Sequence, residues 1–195
     1  VPTGIALRDA REHLFAAAAR VLLRDGANAL TSRAVTTEAG VAKGLLHRHF
    51  ADFDDFLTQF VLDHVGRIEA QADALRESAG TGAVVATLTR GLTDLFDSIT
   101  LSIVGLVISR DAVRTRLREV TGGGLPVLRQ ATGMIHSYLA AERDLGRLTA
   151  GADIDTLAPT LVGAAHLLFA GREDAPPAVG EVERVVTTVM ADALA

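Results

Sequence analysis

Apolar residues recur every three or four positions along most of the chain, the spacing that lines one face of an α-helix. Leu14, Phe15, Ala18, Val21 and Leu22 make one such stripe while Arg11, Arg20 and Arg24 lie off it, which predicts an amphipathic first helix ending at Gly26. Two short helical segments follow, at residues 32–39 and 43–50, parted by Gly40 and Val41. Asp52, with Asp55 three residues on, is placed to cap a long fourth helix whose stripe runs through Phe53, Phe56, Leu57, Phe60, Val61, His64, Val65 and Ile68.

Beyond the break at residues 80–82, Val84, Leu88, Leu92, Leu95, Phe96 and Ile99 mark another helix, and the apolar run 101–108 reads as a short buried one. After Gly122, Gly123 and Gly124, a helix starting near Pro126 carries Leu128, Ala131, Ile135, Tyr138, Leu139 and Leu145. Asp153 is placed to cap a helix through Phe169, loosened near Pro159. A proline loop at 171–180 leads to a last helix with Val182, Val185, Val186, Val189, Met190 and Leu194. Alternating runs of β-branched and aromatic residues between hairpin turns are missing, so the chain reads as all-α with about nine helices.

The charge balance changes this picture in one respect. The net charge is −5, but residues 1–50 hold seven Lys/Arg against four Asp/Glu, a net +3, while residues 51–195 hold twelve against twenty, a net −8. Exposed charges act over only about 8–10 Å at physiological salt, so a basic head on an acidic body directs polyanion binding to the head. The division expected is a head at 1–51 and a body at 52–195. The chain has no Cys, which excludes disulfides and thiolate metal sites, and the cytoplasm is the expected compartment. No uncharged run reaches the roughly 18 apolar residues of a membrane span, and no basic-then-apolar leader is legible.

Residues 31–50 have the physical pattern of a helix-turn-helix. Thr31 can cap its first helix, Val35 and Ala39 face inward, and Gly40 supplies a turn that would strain another residue. Val41, Leu46 and Phe50 pin the second helix, which leaves Lys43, Gly44, Leu45, His47, Arg48 and His49 on its exposed face and N-terminus. A helix presented in this way fits the major groove of DNA.

The run Ala39-Gly-Val-Ala-Lys43-Gly-Leu-Leu-His-Arg-His-Phe50, followed by an acid-capped apolar helix, resembles the DNA-binding head of the tetracycline-repressor (TetR) family. The close match covers about residues 8–62, and the segment 153–169 looks like the dimer-forming penultimate helix of many members. The resemblance implies a homodimeric, ligand-responsive repressor that binds palindromic double-stranded operator DNA, with no enzymatic activity, cofactor or metal. It assigns Thr31, Ser32 and Arg33 to contacts from the first helix of the motif, and Lys43 and Gly44 to phosphate. Leu45, Arg48 and His49 fall nearest the groove. This chain departs from the family at His47, where a phosphate-contacting Tyr is usual, at Phe53, where Lys is common, and at Ala42, which lacks a capping hydroxyl.

The apolar run 101–108 and the helices flanking it are expected to wall a pocket for a small, largely apolar effector, involving Phe60, His64, Ser102, Leu106, Arg110, His136 and Tyr138. A plain packed core accounts for the same pattern. Leu161, Ala165, His166, Leu168, Val182, Val186 and Val189 are expected at the dimer interface. Two other readings stay open: a dimeric small-molecule-binding or scaffold protein with a weakened head, supported by His47 and Phe53, and a small helical enzyme. The enzyme reading lacks a nucleophile with a placed base, since Ser109, Arg110 and Asp111 read equally as a helix boundary.

Overall fold

A computed structural model describes residues 7–123, 125–172 and 175–195. Gly124 of the three-glycine break and residues 173–174 of the proline loop lie outside the described residues. Ten α-helices and one isolated β-bridge, Leu148 with Leu194, make up the regular structure among the described residues. No single helix among them is long and apolar enough to cross a membrane. The chain divides into two compact units, so the unit that holds the head extends beyond residue 51.

The first unit comprises residues 1–63 and 102–125. It contains α1 (Leu7–Asp25), α2 (Ser32–Glu38), α3 (Gly44–His49), the start of α4 (Phe53–Glu77), the end of α6 (Ser98–Ser109) and α7 (Asp111–Thr121). The stripe of α1 is buried as its spacing requires, and Phe15 meets Phe50, Phe56 and Phe60 at ring-centroid distances of 5.8, 5.6 and 5.9 Å. Each such aromatic pair adds about 0.5–1.5 kcal/mol to its area burial, so this cluster holds α1, α3 and α4 together.

The helix α7 has too sparse an apolar stripe for periodicity to mark it. It has only two core residues, Val113 and Leu117, among Arg114, Arg116 and Arg118. Asp111 starts it, and Gly122 ends it in the left-handed region (φ +72°), with its amide donating to the Arg118 carbonyl at 2.9 Å.

The second unit comprises residues 64–101 and 126–195. Here α9 (Ile154–Ala170) packs on α8 (Pro126–Asp144) and α10 (Val179–Met190), and α10 also packs on α5 (Val84–Leu95). The helix expected at 84–99 closes at Phe96, because Asp97 accepts the Thr100 amide at 2.8 Å and opens α6 as its cap. Asp153 accepts the Thr156 amide at 3.2 Å as the cap of α9, which contains Pro159.

Within this unit Glu142 is completely buried. It accepts the Gly80 amide at 3.3 Å and faces the Arg147 Nε at 3.4 Å, while Arg147 also donates to the Gly82 carbonyl. A polar pin therefore fixes the turn between α4 and α5 to the end of α8.

Candidate nucleic-acid interface

The motif is built as its sequence predicts. Thr31 Oγ1 accepts the Ala34 amide at 3.1 Å and caps α2, and Val35, Thr36 and Ala39 turn inward. Gly40 turns the chain at φ +66°, a conformation that would strain a side chain, and Leu46 and Phe50 bury α3 against the head. His13 of α1 donates from Nε2 to the Ala39 carbonyl at 2.8 Å and steadies the turn. The exit is capped reciprocally: Asp52 Oδ1 accepts the Asp55 amide at 2.7 Å, and Asp55 Oδ2 accepts the Ala51 amide at 2.9 Å.

The charges of the head sort into two groups. Arg20 and Arg24 are spent on Glu38, at 2.7 and 2.9 Å, and they hold its carboxyl below the usual range, Arg20 contributing most. Arg11 stacks over Phe50, 4.8 Å from the ring centroid, and reaches Gln59 at 3.4 Å. Arg33, Lys43 and Arg48 have no acidic partner among the described residues, and all three are exposed. All three belong to residues 31–50, the helix-turn-helix segment.

The other expected contacts divide. Thr31, Gly44 and His47 are exposed, while Leu45 and His49 are half-buried, His49 lying 6.4 Å from the Phe50 ring. Ser32 does not join the face, since its hydroxyl is buried without a partner. Phe53 is engaged in the fold: it stacks on Phe56 at 5.6 Å and lies under the Arg110 guanidinium at 5.7 Å.

The seven expected pocket residues do not line one cavity. Phe60 and Leu106 are buried in the first unit. Arg110 points to the head, where it donates to the Leu30 carbonyl at 2.7 Å, and Ser102 is half-buried in the same unit. In the second unit His64 pairs with Thr100 at 2.9 Å, and His136 is partly exposed beside Asp155 at 3.0 Å. Tyr138 is core; burial first, and Glu142 second, push its phenol well above its ordinary range. The second unit has instead a cavity of about 240 Å³ between α4, α5 and α8. Ala74, Leu75 and Met134 form its apolar wall, and Gln71, Ser78, Thr87, Arg90 and Asp94 supply polar groups. Periodicity marks which residues are apolar but not which empty volume they border, so this cavity had no signal in the sequence.

The expected dimer residues also need correction. Leu161, Ala165, Val182 and Val186 are buried inside their own protomer, because α9 and α10 turn these stripes toward the core, and they are unavailable to a partner. His166 packs 5.7 Å from the Phe96 ring, and burial lowers its basicity. Leu168 and Val189 are half-buried and line an open groove of about 400 Å³ with Val185 and Thr188, and Leu167 is 74% exposed.

Residues 14–59 match the family model described as bacterial regulatory proteins, tetR family. No curated protein matches the chain at a significant level. Among solved structures, the chain is similar to a TetR-family transcriptional regulator from Mesorhizobium loti, with a TM-score of 0.70 and 16% identity over 98% of this chain and 100% of the other. A transcriptional regulator from Rhodococcus sp. gives 0.70 and 20% over 94% and 97%, and one from Saccharomonospora viridis in complex with choline gives 0.71 and 16% over 96% and 99%. At these identities the likeness is one of fold.

Proposed function

We propose that this chain is a member of the TetR family of bacterial regulatory proteins, a cytoplasmic ligand-responsive repressor that binds palindromic operator DNA as a homodimer. Regulators of this family bind DNA and respond to small ligands. The observation that carries the reading is a capped helix-turn-helix in which Arg33, Lys43 and Arg48 are exposed and have no acidic partner among the described residues. In this reading Lys43 and Gly44 meet phosphate, and Arg48, with Leu45 and His49, meets base edges.

The effector enters the cavity between α4, α5 and α8. Its apolar wall and polar rim suit a small amphipathic molecule rather than a wholly apolar one. Release runs through α4: its early residues Phe56, Leu57 and Phe60 are core, and its late residues Gln71, Ala74, Leu75 and Ser78 line the cavity. The ligand loosens DNA only by its differential affinity for the two arrangements, typically about 1–3 kcal/mol or 5- to 150-fold. The homodimer forms through the outer face of α9 and α10, where Leu167, Leu168, Val185 and Val189 leave apolar surface uncovered.

The test is an electrophoretic shift on the DNA upstream of the protein's own coding sequence across a salt series. A retarded band that weakens steeply with salt is expected. Absence of any band at low salt would overturn the proposal and leave a dimeric ligand-binding protein.

A further inference from the structure

The DNA-reading segment 31–50 lies between two points that are both held by α7. At its entry, Arg110, the residue just before α7, donates from Nη2 to the carbonyl of the fully buried Leu30 at 2.7 Å and toward that of Ala27 at 3.4 Å. At its exit, Arg116 grips Asp52 with a two-bond fork, Nη1 to Oδ1 and Nη2 to Oδ2, each at 2.7 Å. Such a fork fixes angle as well as distance. Because Asp52 is also the cap of α4, the fork holds the α3–α4 turn at the point where the recognition helix ends.

The strut itself is anchored, with Val113 and Leu117 fully buried. The braces from α1, namely His13 on Ala39 and Arg20 with Arg24 on Glu38, fix α2 against its neighbour in sequence. The α7 contacts are different in kind, since they reach the head across 80 and 64 residues of chain.

We infer that α7 is a positioning strut for the DNA-reading head, with Arg110 and Arg116 setting the orientation of the helix-turn-helix without touching DNA. This rests on residues 31–50 being the DNA-binding segment. An exposed ion pair such as Arg116–Asp52 adds little to stability, because water competes for both groups. Its effect is geometric. Phosphate contacts tolerate a small tilt of the head, whereas base-edge contacts do not, so the strut governs the preference for the operator over other DNA.

The experiment uses the full chain and a duplex that the wild type enriches from a random-sequence pool, with a scrambled duplex beside it, both followed by fluorescence anisotropy across a salt series. Arg116→Gln should weaken binding to the enriched duplex by about 3- to 30-fold, since an exposed pair is worth up to about fivefold per head and a dimer loses two. Binding to the scrambled duplex should change less than about twofold, with the salt slope unmoved, because no phosphate contact is lost. Asp52→Asn keeps the cap and removes the fork. It should reproduce Arg116→Gln, and the D52N/R116Q double variant should be no worse than either single change.

Arg110→Met should act in the same direction and also lower thermal stability, because it strands a buried carbonyl; Arg116→Gln, at an exposed site, keeps the test clear of misfolding. Equal weakening on both duplexes, a flattened salt slope or additive effects of D52N and R116Q would each overturn the strut. So would wild-type affinity in the variants, with the proposed function left standing. If the wild type enriches no duplex, the proposed function itself falls and the strut falls with it.

Discussion

Arg147→Met should cost far more stability than the loss of a partly exposed cation suggests. Glu142 is fully buried, its Oε2 makes no hydrogen bond, and the facing Arg147 Nε at 3.4 Å is its ion-pair partner. Removing one member of a buried pair typically costs about 3–5 kcal/mol, because a charge is left without compensation. The Arg147 side chain is 27% exposed, so entering water trims this to roughly 2–3 kcal/mol. At about 2–4 °C per kcal/mol for a chain of this size, the melting temperature should fall by about 4–12 °C. The E142Q/R147M double variant should recover most of the loss, since Gln keeps an acceptor for the Gly80 amide and carries no charge. The pin holds the turn between Ser78 and Thr87, two residues of the cavity wall, so the single variant should also weaken effector binding. Thermal unfolding at pH 7 by calorimetry decides the matter. A single variant within 1 °C of wild type, or a double variant no better than the single, would refute this account of the pin.

Lys43→Ala should lower affinity for all DNA alike and reduce the salt slope by about two units per dimer, one for each lost phosphate contact, as titrations in varied salt would show. Arg48→Ala should instead reduce operator preference by about 1–3 kcal/mol, measured against a scrambled duplex. Val189→Glu, on the outer face of α10, should give a folded monomer in sedimentation, whereas Val186→Glu, in the core, should unfold the protein. Burial favours the neutral form of His166, so the unfolded chain takes up its proton first; stability present above about pH 6.5 is lost as the pH falls toward the lower folded value. Melting temperatures between pH 7.5 and 5.5 should show this loss, and His166→Gln should shrink it.

The head was legible because each of its signals is local. Thr31, Gly40 and Asp52 act on neighbours within a few residues, and Leu46 and Phe50 stand at helical spacing, so spacing locates the cap, turn and buried side of the motif. The body was less legible for a physical reason. Helices α9 and α10 are apolar on more than one side, and periodicity cannot say which stripe meets the core: Leu161 and Val186 are inside, while Leu167 and Val189 face outward to different degrees. Helix α7 has no legible periodicity because Val113 and Leu117 alone mark its buried face. Arg110 follows the apolar run 101–108, so the sequence places it beside a pocket, but its partner, Leu30, is 80 residues away. No local pattern carries that pairing.

The central claim is that the open face of residues 31–50 reads a palindrome as a pair, and selection from a random-sequence duplex pool followed by a salt titration of the winner tests it most directly. The account predicts an enriched inverted repeat with half-site centres about 34–36 Å apart, one turn of duplex. With Arg33 and Lys43 of each protomer on phosphate, four contacts per dimer, log affinity should fall with log salt at a slope of about −4. Enrichment of no sequence, or binding whose strength is indifferent to salt, would contradict it.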